Sequence, residues 1–162
     1  MSQIERGVTI SGLQGQGGIG KTALALVLAE ALKPRYTDAQ LYLDLKGANK
    51  QQPVSVAEAL SHVIRAYHPT AKLPEGVEEL HALYLSVLNN QRALILMDNA
   101  RDAAQVEPLV PPDTCVLLVT SRQHFTLPGL YAKRLDTLSP EESRELLLKI
   151  APRISERAGE IA

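Results

Sequence analysis

The sequence predicts an α/β fold in which a parallel five-stranded sheet lies between two layers of helices. Apolar runs of strand length alternate with segments of helical periodicity along the 162 residues, which is the pattern of a parallel sheet with helices on both faces. A glycine-rich loop joins the first apolar run to the first helix. No repeat, low-complexity tract or linker divides the chain, so we interpret residues 1–162 as one domain.

The first strand, loop and helix form a predicted phosphate-binding unit. Three β-branched residues favour a strand at residues 7–11. Residues 15–22 read Gly-Gln-Gly-Gly-Ile-Gly-Lys-Thr and match the phosphate-binding loop G-x-x-x-x-G-K-[ST]. An alanine- and leucine-rich helix is predicted at 21–33, because Pro34 stops it. The loop therefore opens onto a helix N-terminus, whose free N–H groups and dipole attract phosphate.

The loop supplies most of the predicted nucleotide contacts. Lys21 is expected to reach the β- and γ-phosphates as a mobile positive charge, and the Thr22 hydroxyl is expected to ligate Mg²⁺. The glycines allow the backbone to approach the anion closely. The residues assigned to nucleotide binding are Gln16, Gly17, Gly18, Ile19, Gly20, Lys21, Thr22 and Ala23.

The next elements are a strand and two helices. The second strand is predicted at residues 40–45. Ser55 and Glu58 form a capping box that begins the second helix, whose apolar residues recur at i, i+3, i+4 and i+7 until about Pro69. The same periodicity predicts the third helix over residues 77–88. The second helix should therefore pack one face against the sheet.

The third strand, predicted at residues 92–97, leads directly into Asp98. Mg²⁺ on bound phosphates needs a carboxylate at the end of a strand beside the loop, so Asp98 is the predicted metal residue together with Thr22. Asn99 follows. Asparagine can orient a water molecule but cannot accept its proton. The sequence therefore predicts slow hydrolysis or none.

The fourth strand is predicted at residues 115–120, after a short helix at 102–106 and a proline-rich turn. It begins with Cys115, the single cysteine, which we interpret as a buried, reduced thiol. It is followed by Arg122. If this strand lies between the first and third strands, Arg122 points toward the γ-phosphate and can report its presence; the alternative is a solvated arginine.

A weaker strand is predicted at residues 132–135, and Ser139-Pro140-Glu141-Glu142 starts a helix expected to run to about residue 150. A further helix is expected to begin within residues 155–162. Because no turn or cap closes it, we interpret the chain as one domain taken from a longer polypeptide.

Asp44 is a weaker site candidate, expected to cap the local backbone. The histidines show no convincing metal-ligand spacing.

Composition and charge narrow the functional classes. The chain is 45% hydrophobic and 22% charged, with a formal net charge of −1. Disorder is not expected, and neither is direct nucleic-acid binding by this domain, because the basic footprint of such proteins is missing. The sequence shows no secretory signal pattern and no apolar run of membrane-spanning length. We therefore expect no membrane association and a cytoplasmic location.

The chain resembles the NB-ARC branch of the STAND signalling ATPases, in the form found in bacterial regulators. Four stretches carry the likeness: residues 15–25, 41–47, 96–103 and 119–122. The resemblance implies a sheet order of 5-1-4-3-2, Mg²⁺ with ATP or ADP in the loop, and a switch operated by nucleotide exchange. It also implies further domains in the parent protein and ATP-driven self-assembly.

These observations lead to one function and three alternatives. The leading hypothesis is an ATP/ADP-binding switch, because only ATP offers a γ-phosphate to Lys21, Arg122 and Mg²⁺ together. The candidate catalytic residues are Lys21, Asp98, Asn99 and Arg122. A motor or loader ATPase would need a catalytic carboxylate after Asp98, and Asn99 argues against it. A small-molecule phosphotransferase would need an arginine-rich lid, which is missing from the sequence. The last alternative is a non-hydrolysing interaction module that keeps nucleotide as a structural ligand.

Overall fold

The computed structural model describes residues 10–18, 20–49, 51–134 and 141. These residues contain a five-stranded sheet with the spatial order β2-β3-β4-β1-β5, and each neighbouring pair is parallel. The strands are β1 (Ile10–Gln14), β2 (Ala39–Asp44), β3 (Ala93–Ala100), β4 (Val116–Ser121) and β5 (Leu130–Arg134). The predicted order is thus confirmed, and β4 lies between β1 and β3.

Four helices cover the described part of the sheet. They are α1 (Lys21–Leu32), α2 (Val56–Tyr67), α3 (Val77–Leu88) and the short α4 (Ala103–Val106), which continues into a 3₁₀ turn. The predicted capping box begins α2, since the Ser55 hydroxyl accepts from Glu58 N at 3.2 Å and Ser55 N donates to Glu58 Oε2 at 2.8 Å. Helices α2 and α3 pack together on one face of the sheet, and α1 packs on the other. The chain therefore has the three-layer α/β/α architecture of P-loop proteins.

Two hydrophobic cores hold the strands in place. The larger core, between the sheet and the α2–α3 pair, includes Leu60, Ile64, Met97 and Leu117, all fully buried. The smaller core lies under α1 and includes Ala25, Leu94, Leu96 and Leu118. Burial of one such aliphatic side chain contributes about 1.5–3 kcal/mol. Because β3 and β4 contribute residues to both cores, the carboxyl ends of these strands are held firmly in place.

Several predicted boundaries need correction. The first strand is predicted to end at residue 11, but it continues to Gln14, because Leu13 and Gln14 still pair with β4. Gly15 N then donates to Ser121 O at 3.1 Å. Strand β3 continues past Asp98 to Ala100, and β5 begins at Leu130. The other predicted elements up to β4 lie within two residues of the observed ones. The helices predicted at 139–150 and 155–162 lie outside the described residues, apart from residue 141.

Within the described ranges, no helix combines the length and the apolar character that crossing a bilayer requires.

Candidate functional site

The phosphate-binding loop connects β1 to α1 with two glycines in a left-handed conformation. Gly18 has φ 83° and Gly20 has φ 88°, values that residues with a side chain rarely adopt. Lys21 follows as the first residue of α1 and is only 8% exposed. Its Nζ donates to the carbonyl of Gln16 at 2.7 Å. The loop thus folds back so that its Gln16 carbonyl contacts the Lys21 ammonium. Ile19 lies outside the described residues.

Asp98 is the point at which three strands and α1 meet. The Thr22 hydroxyl donates to Asp98 Oδ1 at 2.8 Å, and the Thr120 hydroxyl donates to the same oxygen. The Tyr42 hydroxyl donates to Asp98 Oδ2 at 3.3 Å. Carboxylate and hydroxyl oxygens are the ligands that Mg²⁺ prefers, and the ion commonly takes one or two carboxylates plus phosphate oxygens. The chemistry of Thr22 and Asp98 therefore fits the predicted metal.

A bulge in β3 sets the direction of Asp98 and Asn99. Met97 pairs with Val119 and Ala100 pairs with Ser121, so β3 has one more residue than β4 between these pairs. Asn99 lies in this bulge with φ 58°, a conformation that asparagine tolerates better than most residues. Its N–H donates to the Thr120 hydroxyl at 2.8 Å. Asp98 was predicted to follow the end of a strand; it lies instead in a distorted part of one.

Arg122 follows β4 and lies over the phosphate-binding loop. Its guanidinium atoms are 2.8–3.2 Å from the position that a Cβ at Gly17 would occupy, so the glycine makes room for the arginine. Burial lowers the pKa of Lys21, and the positive charge of Arg122 lowers it further, while Asp98 acts in the opposite direction. Two cations against one carboxylate create a demand for a bound anion.

These groups surround one cavity of about 390 Å³, within the usual range for small-molecule sites. Its lining consists of Gly17, Gly18, Gly20, Lys21, Thr22, Asp98, Asn99, Thr120 and Arg122. The structure therefore brings together the predicted residues from the loop, β3 and β4. Gln16 and Ala23 are exposed at the two ends of the loop and do not line this cavity. Asp44 caps the local backbone as expected, accepting from Lys46 N at 2.8 Å.

Two residues of this arrangement were not among the predicted site residues. Thr120 is 1% exposed and joins Asn99 to Asp98, and Tyr42 reaches Asp98 from β2. The sequence carries only half of the signal for Tyr42: side chains two apart on a strand share a face, but the register with Asp98 is visible only in the structure. Tyr42 and Asp44 are such a pair, and Asp44 lies in register with Asp98.

No family model matches the chain. Two curated proteins do, each named "Regulatory protein AfsR". The protein from Streptomyces coelicolor is 43% identical over 148 residues, which cover 90% of this chain and 15% of that protein. The one from Streptomyces griseus is 40% identical over 157 residues, covering 94% of this chain and 16% of that protein. The chain thus spans about a sixth of the length of these relatives, both of which are regulatory proteins by name.

Among solved structures, the chain is similar to the Orc1 protein of Aeropyrum pernix, determined in complex with DNA. The TM-score is 0.55 at 16% sequence identity, and the match covers 89% of this chain and 44% of that one. At this identity the likeness concerns the fold alone. It agrees with the P-loop α/β/α architecture of the described residues.

Proposed function

We propose that this chain is the nucleotide-binding domain of a larger STAND-type regulator of the NB-ARC kind, in which ATP and ADP favour different states. The observation that carries the proposal is the set of Lys21, Thr22, Asp98 and Arg122 around one cavity. The two regulatory relatives, each about six times longer than the matched segment, support a role within a multidomain protein.

Each group in the cavity has a defined task in this proposal. The loop amides and Lys21 bind the β-phosphate, which both nucleotides carry. Thr22 and Asp98 hold Mg²⁺, which would neutralise phosphate charge. Arg122 turns from Gly17 toward the γ-phosphate, with which its planar guanidinium makes paired, charge-assisted hydrogen bonds. Only ATP offers that contact, so ATP stabilises any state in which Arg122 is turned inward.

Hydrolysis is not the main task of such a site. Asn99 occupies the position after Asp98 and lines the cavity, yet an amide cannot take a proton from an attacking water. ATP is therefore a long-lived ligand that specifies a state. A motor or loader ATPase needs repeated turnover, and this position does not supply the base for it.

The proposed partners follow from the same role. The nucleotide is the small-molecule ligand, and other domains of the parent protein respond to the position of Arg122. ATP-driven self-assembly and control of transcription belong to that full-length regulator, in the cytoplasm. Direct contact with nucleic acid is assigned to other domains, because this chain has a formal net charge of −1.

The proposal is tested by measuring nucleotide affinity and turnover on the same preparation. We expect Mg²⁺-ADP and Mg²⁺-ATP to bind, with turnover well below about one per second, the lower end of ordinary enzyme rates. Asn99→Asp should raise turnover, since aspartate keeps the size and the left-handed backbone preference of asparagine and adds a base. Wild-type turnover above one per second would favour the motor hypothesis. Bound nucleotide that never exchanges would favour a structural ligand.

A further inference from the structure

The two oxygens of Asp98 are held by different parts of the fold. Oδ1 accepts hydrogen bonds from Thr22 on α1 and Thr120 on β4. Oδ2 accepts one from the Tyr42 hydroxyl, which comes from β2 at the edge of the sheet. A carboxylate held through one oxygen can still turn its other oxygen, whereas donors on both oxygens fix its plane. Among the described residues, the Tyr42 hydroxyl is thus the donor that restrains Asp98 Oδ2.

The position of Tyr42 follows from the register of β2. Asp44 pairs with Asp98 and Tyr42 pairs with Leu96. Because side chains two residues apart on a strand share a face, Tyr42 lies on the same face of the sheet as Asp98, two residues before the position opposite it. Leu41 and Leu43 point to the opposite face and pack on the larger core. Edge strand β2 is therefore held by these partly buried leucines, while it presents the Tyr42 hydroxyl to Asp98.

The chemistry of Tyr42 suits a neutral hydrogen-bond donor. A tyrosine phenol has an ordinary pKa of about 10, so it keeps its proton at neutral pH and can donate to Asp98 Oδ2. Tyr42 is 49% exposed and lies outside the lining of the nucleotide cavity. Tyr42 therefore acts on Asp98 and makes no direct contact with the phosphates.

We propose that Tyr42 is a positioning residue for the magnesium site: its hydroxyl fixes the orientation of Asp98 and so raises the affinity for Mg²⁺ in the nucleotide complex. The inference rests on the proposed function. The O···O distance of 3.3 Å exceeds the usual 2.7–2.8 Å for hydroxyl donors, which limits the expected effect to about 2- to 10-fold, the range of one ordinary hydrogen bond.

The test compares Mg²⁺ dependence with Mg²⁺-independent binding. ADP affinity is measured by calorimetry over a series of Mg²⁺ concentrations and again in excess chelator, for the wild type, Tyr42→Phe and Tyr42→Leu. Tyr36→Phe is the matched control, because Tyr36 is a partly buried tyrosine that packs on the smaller core. We expect both Tyr42 variants to need about 2- to 10-fold more Mg²⁺ for half-maximal enhancement, with unchanged affinity in chelator and unchanged thermal midpoints.

The outcomes separate this inference from the proposed function. If the wild type binds no ADP, the proposed function is wrong and the inference fails with it. If the wild type binds and Tyr42→Phe has the same Mg²⁺ requirement, the inference alone is wrong. It is also wrong if ADP affinity falls equally with and without Mg²⁺, or if Tyr36→Phe shifts the Mg²⁺ requirement as much as Tyr42→Phe does.

Discussion

Polar groups at the amino-terminal edge of the sheet, where the strands begin, differ in their hydrogen bonds from those at the carboxyl-terminal edge, where the strands end. At the amino-terminal edge, where β2, β3 and β4 begin, Arg92 N donates to Asp38 Oδ2 at 2.7 Å and the Cys115 thiol donates to Gln91 O at 3.2 Å. Near Cys115, the buried Tyr84 hydroxyl donates to Leu109 O at 2.6 Å. At the carboxyl-terminal edge, Lys21 and Asp98 line a cavity.

The difference shows which hydrogen bonds serve stability and which serve binding. The buried Tyr84 hydroxyl stabilises the fold, because the Leu109 carbonyl would otherwise be buried without this donor. The exposed contact between Arg92 and Asp38 contributes less. A charged group at a cavity keeps capacity for a ligand. We therefore expect substitutions at the amino-terminal edge to change the free energy of unfolding, and substitutions at the carboxyl-terminal edge to change nucleotide affinity.

Gly47 is a position where one substitution should affect both the free energy of unfolding and nucleotide affinity. Its N–H donates to Asn99 O at 2.7 Å, and an added Cβ would come under 3.0 Å from backbone atoms of Asn99, Ala100 and Arg101. Gly47→Ala should therefore push the β3 bulge aside, lowering the free energy of unfolding by about 3 kcal/mol and weakening Mg²⁺-ADP binding as well. Urea unfolding and calorimetry measure the two effects.

Gly76→Ala is the control for Gly47→Ala, since a Cβ at Gly76 would be at ordinary contact distance from Glu79. It should leave Mg²⁺-ADP affinity unchanged. Because Gly76 is the N-cap of α3, it should lower the free energy of unfolding by no more than about 1 kcal/mol, well below the effect expected of Gly47→Ala. Normal ADP affinity in Gly47→Ala would show that the β3 bulge does not set the geometry of the site.

Lys21→Ala should weaken Mg²⁺-ADP binding and leave the fold intact. Loss of a charge-assisted contact to phosphate costs about 1.5–3 kcal/mol, or about 10- to 150-fold in affinity. Because burial already disfavours the charged form of Lys21, its removal should not lower the free energy of unfolding. Calorimetric titration and thermal unfolding check both statements. Equal ADP affinity in wild type and Lys21→Ala would show that Lys21 does not contribute to nucleotide binding.

Tyr84→Phe should have the opposite profile. It leaves the fully buried carbonyl of Leu109 without its donor, which costs about 1–3 kcal/mol of unfolding free energy. Nucleotide affinity, measured on the same sample below the unfolding transition, should be unchanged. A fall in affinity without a loss of stability would show that the two edges are coupled.

The smallest expected effect is a shift in pH dependence. Lys21 must be protonated to attract phosphate, and its pKa is lowered by burial and by Arg122. ADP affinity should therefore fall as the pH rises, at a lower pH than an unperturbed lysine would give. Arg122→Ala removes one of the two causes and should move this fall to higher pH. ADP titrations across the alkaline range measure it, and an unchanged profile would show that Arg122 does not act on Lys21.

The sequence predicted the central site residues for specific physical reasons. The loop glycines and Lys21 obey a local pattern whose mechanics depend on neighbouring residues alone, and the capping box at Ser55 is equally local. The sheet order came from a family resemblance. What remained hidden depends on contacts between distant strands: the bulge at Asn99 comes from pairing with β4, and the Tyr42–Asp98 contact comes from the register of β2 and β3.

The central claim is that Arg122 converts nucleotide binding into a switch, and paired titrations of Arg122→Ala test it most directly. Mg²⁺-ADP and a non-hydrolysable Mg²⁺-ATP analogue are titrated at fixed salt. Arg101→Ala is the control, because Arg101 is an exposed arginine whose Nε donates to Asp102 Oδ2 at 2.8 Å. We predict a loss of about tenfold or more for the ATP analogue, with ADP affinity nearly unchanged at neutral pH. Equal losses for both nucleotides, or no loss, would contradict the claim.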